Sequence, residues 1–90
     1  MLRITTIDND PVTTFRLEGR LAGDWVAELE RCFTSIKAAD PSRKVEIDMS
    51  DLDFVDAKGE LLLERLLLSG AKLHGSNLFI MSIVAGIVEH

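Results

Sequence analysis

V-E-I-D-M-S-D-L-D-F-V-D-A-K-G, residues 45–59, changes backbone state twice within one short stretch. Val45 and Ile47 alternate with Lys44, Glu46 and Asp48, the period of a strand with one buried face. Asp48, Ser50, Asp51 and Asp53 then crowd four polar side chains together, which predicts a solvated loop that Leu52, Phe54 and Val55 anchor to the core. At Asp56 the pattern becomes helical, over residues 57–69, with leucine at 61, 62, 63, 66, 67 and 68. Asp56 stands where a carboxylate can accept from the free amides of a first helical turn. Gly70 stands where a helix commonly ends in a C′ glycine. A strand, a tight loop and a helix start held on a rigid scaffold form a place where binding groups are positioned.

Working outward, residues 2–8 alternate through Leu2 and Ile4, with Ile7 out of register, and read as a first strand. Asn9-Asp10-Pro11 is a turn signal, and Val12, Phe15 and Leu17 begin a second strand, so the chain opens on a β-hairpin. Residues 19–23 read as a connector. From Asp24, placed as N-cap, the apolar residues Trp25, Leu29, Cys32, Phe33 and Ile36 recur at helical spacing until about Ala39. A third strand over 43–48 leads into the opening stretch, and 71–74 is a short fourth strand. Residues 78–88, L-F-I-M-S-I-V-A-G-I-V, read as a last helix capped by Ser76 or Asn77, although their β-branched content also suits a strand. The order β-β-α-β-α-β-α predicts an α/β fold, a small layered structure with helices packed on a mixed four-stranded sheet. Strands 2, 3 and 4 run parallel through right-handed crossovers. Residues 1–90 are expected to form a single domain.

The net charge of −5 is the wrong sign for nucleic acid or an anionic membrane surface, and the ten basic residues form no block. Cys32 is the only cysteine, so neither an intrachain disulfide nor a thiolate metal site is expected. Its place on the apolar helix face predicts a buried, unreactive thiol. The polar N-terminus does not read as a signal peptide, and a reduced cytoplasmic location is the expectation. No apolar stretch reaches the roughly twenty residues of a membrane-spanning helix. His74 and His90 have no partner at ligand spacing, and no nucleophile has a base beside it. Asp51–Asp56 fails the calcium-loop pattern, because an aspartate occupies the position that needs glycine. Asp51-Leu-Asp53-Phe-Val55 looks like the nucleophile motif of haloacid-dehalogenase phosphatases, but it is displaced from the end of its strand. The acidic run is therefore read as a solvated loop. No catalytic residues, no metal and no cofactor are expected.

G-R-L at residues 19–21, the run from Ile47 to Gly59, and G-A-K-L at 70–73 together resemble the STAS domain, the family of sulphate transporters and anti-sigma-factor antagonists. The resemblance covers roughly residues 4–88. It implies a sheet layered with helices and a protein-binding surface at the start of the second helix. In many relatives that surface carries a serine that a partner kinase phosphorylates. Here Lys58 takes the serine's place, and Ala22 stands where an acidic residue often follows G-x-L. A lysine has no hydroxyl to phosphorylate and carries the opposite sign to phosphoserine, so the resemblance implies a module whose binding is not phospho-switched.

The expected partner surface is Asp24 and Trp25 with Asp53, Asp56, Ala57, Lys58 and Gly59. Lys58 in a first turn opposes the helix dipole, a cost that Asp24, Asp53 or Asp56 could offset by pairing with it. The resemblance implies a partner of the anti-sigma-factor kinase type, or the ATPase of a lipid-trafficking ABC transporter. The competing expectation is a small-ligand or nucleotide sensor, with Lys58 helping to hold a phosphate. Finally, residues 78–88 are apolar almost all round, with Phe79, Ile83 and Ile87 on one helical face and Ile80 and Val84 on another. One face is left for self-association as a homodimer or for a partner.

Overall fold

The computed structural model describes residues 1–75. β1 (Leu2–Asn9) and β2 (Val12–Leu21) form an antiparallel hairpin in unbroken register, from Leu2 opposite Gly19 to Asn9 opposite Val12. α1 (Asp24–Ala39) crosses to β3 (Lys44–Val55), and α2 (Ala57–Leu68) crosses to β4 (Lys72–His74). The sheet order is β1-β2-β3-β4, with both later pairings parallel. This is the predicted α/β architecture with a mixed four-stranded sheet.

Two right-handed crossovers that step the same way across a sheet must place both helices on the same face. Their apolar stripes close on that face. Leu29 and Phe33 of α1 and Leu62, Leu63 and Leu66 of α2 are buried with Phe15, Leu17, Ile47 and Met49 of the central strands. Each such side chain contributes about 1.5–3 kcal/mol by leaving water. The opposite face is polar. Arg16 donates to Asp51 at 2.7 Å, His74 meets Glu46, and the Arg20 guanidinium lies 4.4 Å from the Phe54 ring centroid.

The expected loop after Asp48 is strand instead. β3 continues to Val55, because Met49, Leu52 and Val55 are all buried. Between the pairs Arg16–Asp48 and Leu21–Val55, β2 advances five residues and β3 seven, so β3 bulges twice. Each extra residue resets the inside–outside parity. The buried positions then fall three apart, and a reader expecting alternation sees only a polar run. The connector at 19–23 is likewise shorter than expected, because β2 runs on to Leu21, which is fully buried.

α1 has a different cap from the one predicted. Gly23 is the N-cap, with φ of 59°, a conformation that favours glycine, and Asp24 is the first helical residue. Trp25, the first apolar residue of the stripe and one of those expected at the partner surface, is 39 % exposed, since the stripe packs only from Val26 onward. Cys32 is half-buried, not enclosed, although burial still pushes its thiol up, with the Glu28 charge adding to it. α2 ends as anticipated. Gly70 has φ of 99°, its N–H donates to the Leu67 carbonyl, and the Ala71 N–H donates to that of Leu66, each at 3.0 Å. These two bonds make a Schellman close. Leu61 and Leu68 of its leucine run are exposed, at 62 % and 81 %. The predicted last helix, with Phe79, Ile80, Ile83, Val84 and Ile87, lies outside the described residues, as does His90.

Candidate functional site at the start of the two helices

β2 and β3 run parallel and end side by side, Leu21 opposite Val55. Both helices therefore start at the same end of the sheet, the carboxyl end, where α/β folds build their sites. Asp56 organises this end. Its Oδ1 accepts from the Gly59 N–H at 2.7 Å, and its Oδ2 accepts from the Gly23 N–H at 2.9 Å. The first bond is an ordinary N-cap. The second completes α1. In a capping box, a glutamate or glutamine at the third helical position satisfies the N-cap amide. That position in α1 is Val26, which cannot, and the carboxylate of the other helix does so instead. The Asp56 N–H also donates to the Leu21 carbonyl at 3.1 Å, so both sides of the residue are tied to β2 or its turn. The amides of Gly23 and Gly59 hold the Asp56 carboxyl below the usual carboxylate range, and the Lys58 charge adds to this.

Gly59 is buried because α2 starts against the ends of the strands. A Cβ there would lie 2.7 Å from the Leu21 carbonyl oxygen and 2.8 Å from Val55 Cγ1. Ala57 and Lys58 face out. The Lys58 ammonium makes no hydrogen bond and no ion pair among the described residues, so the expected pairing with Asp24, Asp53 or Asp56 is not formed. Asp24 and Asp53 are exposed and equally without a partner among the described residues.

Of the seven residues expected at the surface, the Asp56 clamp joins the Asp24–Trp25 turn to the stretch from Asp56 to Gly59. Asp53 stands apart on β3, three residues before the clamp. The acidic run is dispersed: Asp48 accepts from the Ser50 N–H at 3.0 Å, Asp51 is paired with Arg16, and Asp56 caps. Among the described residues no three His, Cys, Asp or Glu side chains meet in a way that could hold a metal, and no helix is long and apolar enough to cross a membrane. Reading the sequence missed Gly23 as the second ligand of the clamp. The only local signal for it was a glycine directly before an acidic helix start. It also missed Leu61, one turn below Lys58 on the outer side of α2.

A family model described as STAS domain matches residues 3–87. Among solved structures, an anti-sigma factor antagonist from Mycobacterium paratuberculosis matches at TM-score 0.80 and 17 % identity, over 99 % of this chain and 81 % of the other. An antisigma-factor antagonist STAS domain from Rhodobacter sphaeroides matches at 0.55 and 20 %, over 82 % and 84 %. An uncharacterized protein with a SpoIIAA-like fold from Shewanella loihica matches at 0.59 and 15 %, over 87 % and 69 %. At such identities the likeness is one of fold. No curated protein matches the chain.

Proposed function

The chain belongs to the STAS domain family, and from that premise we propose that it is a non-catalytic protein-interaction module whose partner surface is the shared start of α1 and α2 and whose binding is constitutive. The observation that carries this reading is the exposed Lys58, without an ion pair among the described residues, on a first turn that Asp56 fixes from both helices. A docking surface gains from such rigidity, because less freedom is lost on binding. In a phospho-switched relative the phosphate would bring nearly two negative charges to this turn. Lysine offers no hydroxyl and leaves a fixed positive charge.

Partners of the anti-sigma-factor kinase type or of the transporter-ATPase type both suit this reading. Calorimetry against one purified representative of each class, with and without ATP, tests it. One of the two should bind, ATP should leave the affinity and the intact mass of this chain unchanged, and Lys58→Glu should weaken the complex. A phosphate appearing on Ser50, or full binding by Lys58→Glu, refutes the constitutive surface.

A further inference from the structure

Among the described residues β1 pairs with β2 alone and is one of the two edges of the sheet, the three-residue β4 being the other. Proteins ordinarily guard such edges by keeping them short or by placing lysine, proline, a bulge or an inward charge on them. The middle of β1 has none of these devices. The strand is eight residues long, its register with β2 is unbroken, and Ile4-Thr5-Thr6-Ile7 carries no charge.

A second observation concerns what lies beside that edge. α1 packs over β2, and among the described residues the helix side of β1 is covered at Leu2 and Ile4 but open beyond them. Thr6 and Asp8 share that side with their register partners Phe15 and Thr13, yet they are exposed while those partners are buried. Two cavities fill the gap and meet at Ile36. One, of about 300 Å³, has Thr6, Phe15 and Cys32 in its walls; the other, of about 460 Å³, has Asp8, Asp10, Asp40 and Arg43. The second is acidic on balance. Among the described residues Arg43 is the one cation paired with Asp10, at 2.6 Å, and with Asp8, at 3.4 Å; Asp8 also accepts from the Thr13 hydroxyl at 2.6 Å, and the Asp10 and Asp8 side chains remain 90 % and 66 % exposed. Asp40 adds a third carboxylate, which accepts from the Ser42 N–H and hydroxyl, and the Lys37 ammonium donates to the Arg43 carbonyl at 2.7 Å while its charge still acts on Asp40, leaving three carboxylates to two cations.

We propose that β1 and this groove bind an extended peptide segment of a partner protein, added to the sheet as a further strand, with an apolar side chain in the Phe15–Ile36 cavity and a lysine or arginine two residues away against Asp8, Asp10 and Asp40. The spacing follows from the pleat. Side chains two apart on a strand face the same way, as Thr6 and Asp8 do on β1. Main-chain hydrogen bonds to the open edge supply affinity, and the apolar cavity and the carboxylates supply selection. The surface lies at the opposite end of β2 from the Asp56 clamp and does not depend on the role given to Lys58.

The test is amide NMR of the whole ¹⁵N-labelled chain titrated with two heptapeptide series, one built on Val-x-Lys and the other on Val-x-Glu. Val-x-Lys peptides should shift the amides of β1 and slow their exchange, and reversing the charge should weaken binding by about tenfold or more. Thr6→Lys, at an exposed position that leaves the core intact, should abolish binding, while Thr5→Lys on the other face should retain it. The proposal is overturned if neither series binds at millimolar concentration, if both bind alike, if the shifts map to β4, or if Thr6→Lys binds normally. It is equally overturned if sedimentation finds a dimer that Thr6→Lys dissociates, since the edge would then be closed by a second copy.

Discussion

Replacing Gly59 with alanine sets two effects of known sign against each other. Alanine is the better helix former by up to about 1 kcal/mol. Against this, its methyl would lie 2.7 Å from the Leu21 oxygen, 2.8 Å from Val55 Cγ1 and 3.1 Å from Leu21 Cγ. The nearest of these is main chain, and it already accepts from the Asp56 amide, so it cannot swing aside. The second belongs to a β-branched side chain with little rotamer freedom. Overpacking of this kind costs about 1–3 kcal/mol, more than the propensity gain over most of its range. Moving α2 outward to relieve it would stretch the Gly59–Asp56 cap bond of 2.7 Å. The expected net loss centres on about 1 kcal/mol, which for a domain of this size lowers Tm by roughly 4–8 °C. Urea and thermal unfolding of Gly59→Ala measure it, with Ala57→Gly, exposed two residues earlier, as the reference for propensity alone. A Gly59→Ala protein as stable as wild type, or more so, would refute the close approach of α2 to the strand ends.

Met49→Ala should cost about 2–5 kcal/mol in urea unfolding, as for a core methionine; a loop at this position would barely register the change. For Asp56 the folded carboxyl titrates below its unfolded value of about 3.9, so its contribution is complete above that pH and is lost as pH falls through the folded value. Acid unfolding of Asp56→Asn should therefore lack part of the wild-type loss of stability below about pH 4–5, and parallel curves would count against the clamp. Lys58→Ala should leave stability unchanged or raise it by about 0.3–1 kcal/mol through relief of the dipole conflict. A large loss in thermal unfolding would mean that the lysine is structural, and its interface role would fall.

What the sequence made legible was periodic. The helix over 57–69 was readable because its leucines, its capping aspartate and its closing glycine agree, and the hairpin because Asn9-Asp10-Pro11 separates two alternating runs. Two features were hidden for a common reason. The bulges of β3 are a relation between two strands, so the residues from Asp48 to Val55 look polar until their pairing with Arg16–Leu21 is known. The clamp is a relation between two helix starts. Asp56 reads as a local cap, and nothing near it in the chain names Gly23, thirty-three residues earlier, as its other donor.

The sharing of one carboxylate also bears on how the two helices come apart. α2 carries its own cap, and that bond can form as soon as its first turn does. α1 has no side-chain cap of its own and borrows one across a closed loop. When the first turn of α1 frays, Asp56 keeps its bond to Gly59 and α2 is undisturbed. When the first turn of α2 frays, Oδ1 loses Gly59, but the Asp56 N–H still holds the Leu21 carbonyl and Oδ2 still faces the Gly23 N–H. Asp56 is thus anchored to β2 independently of either helix, and each first turn can open without taking the other with it.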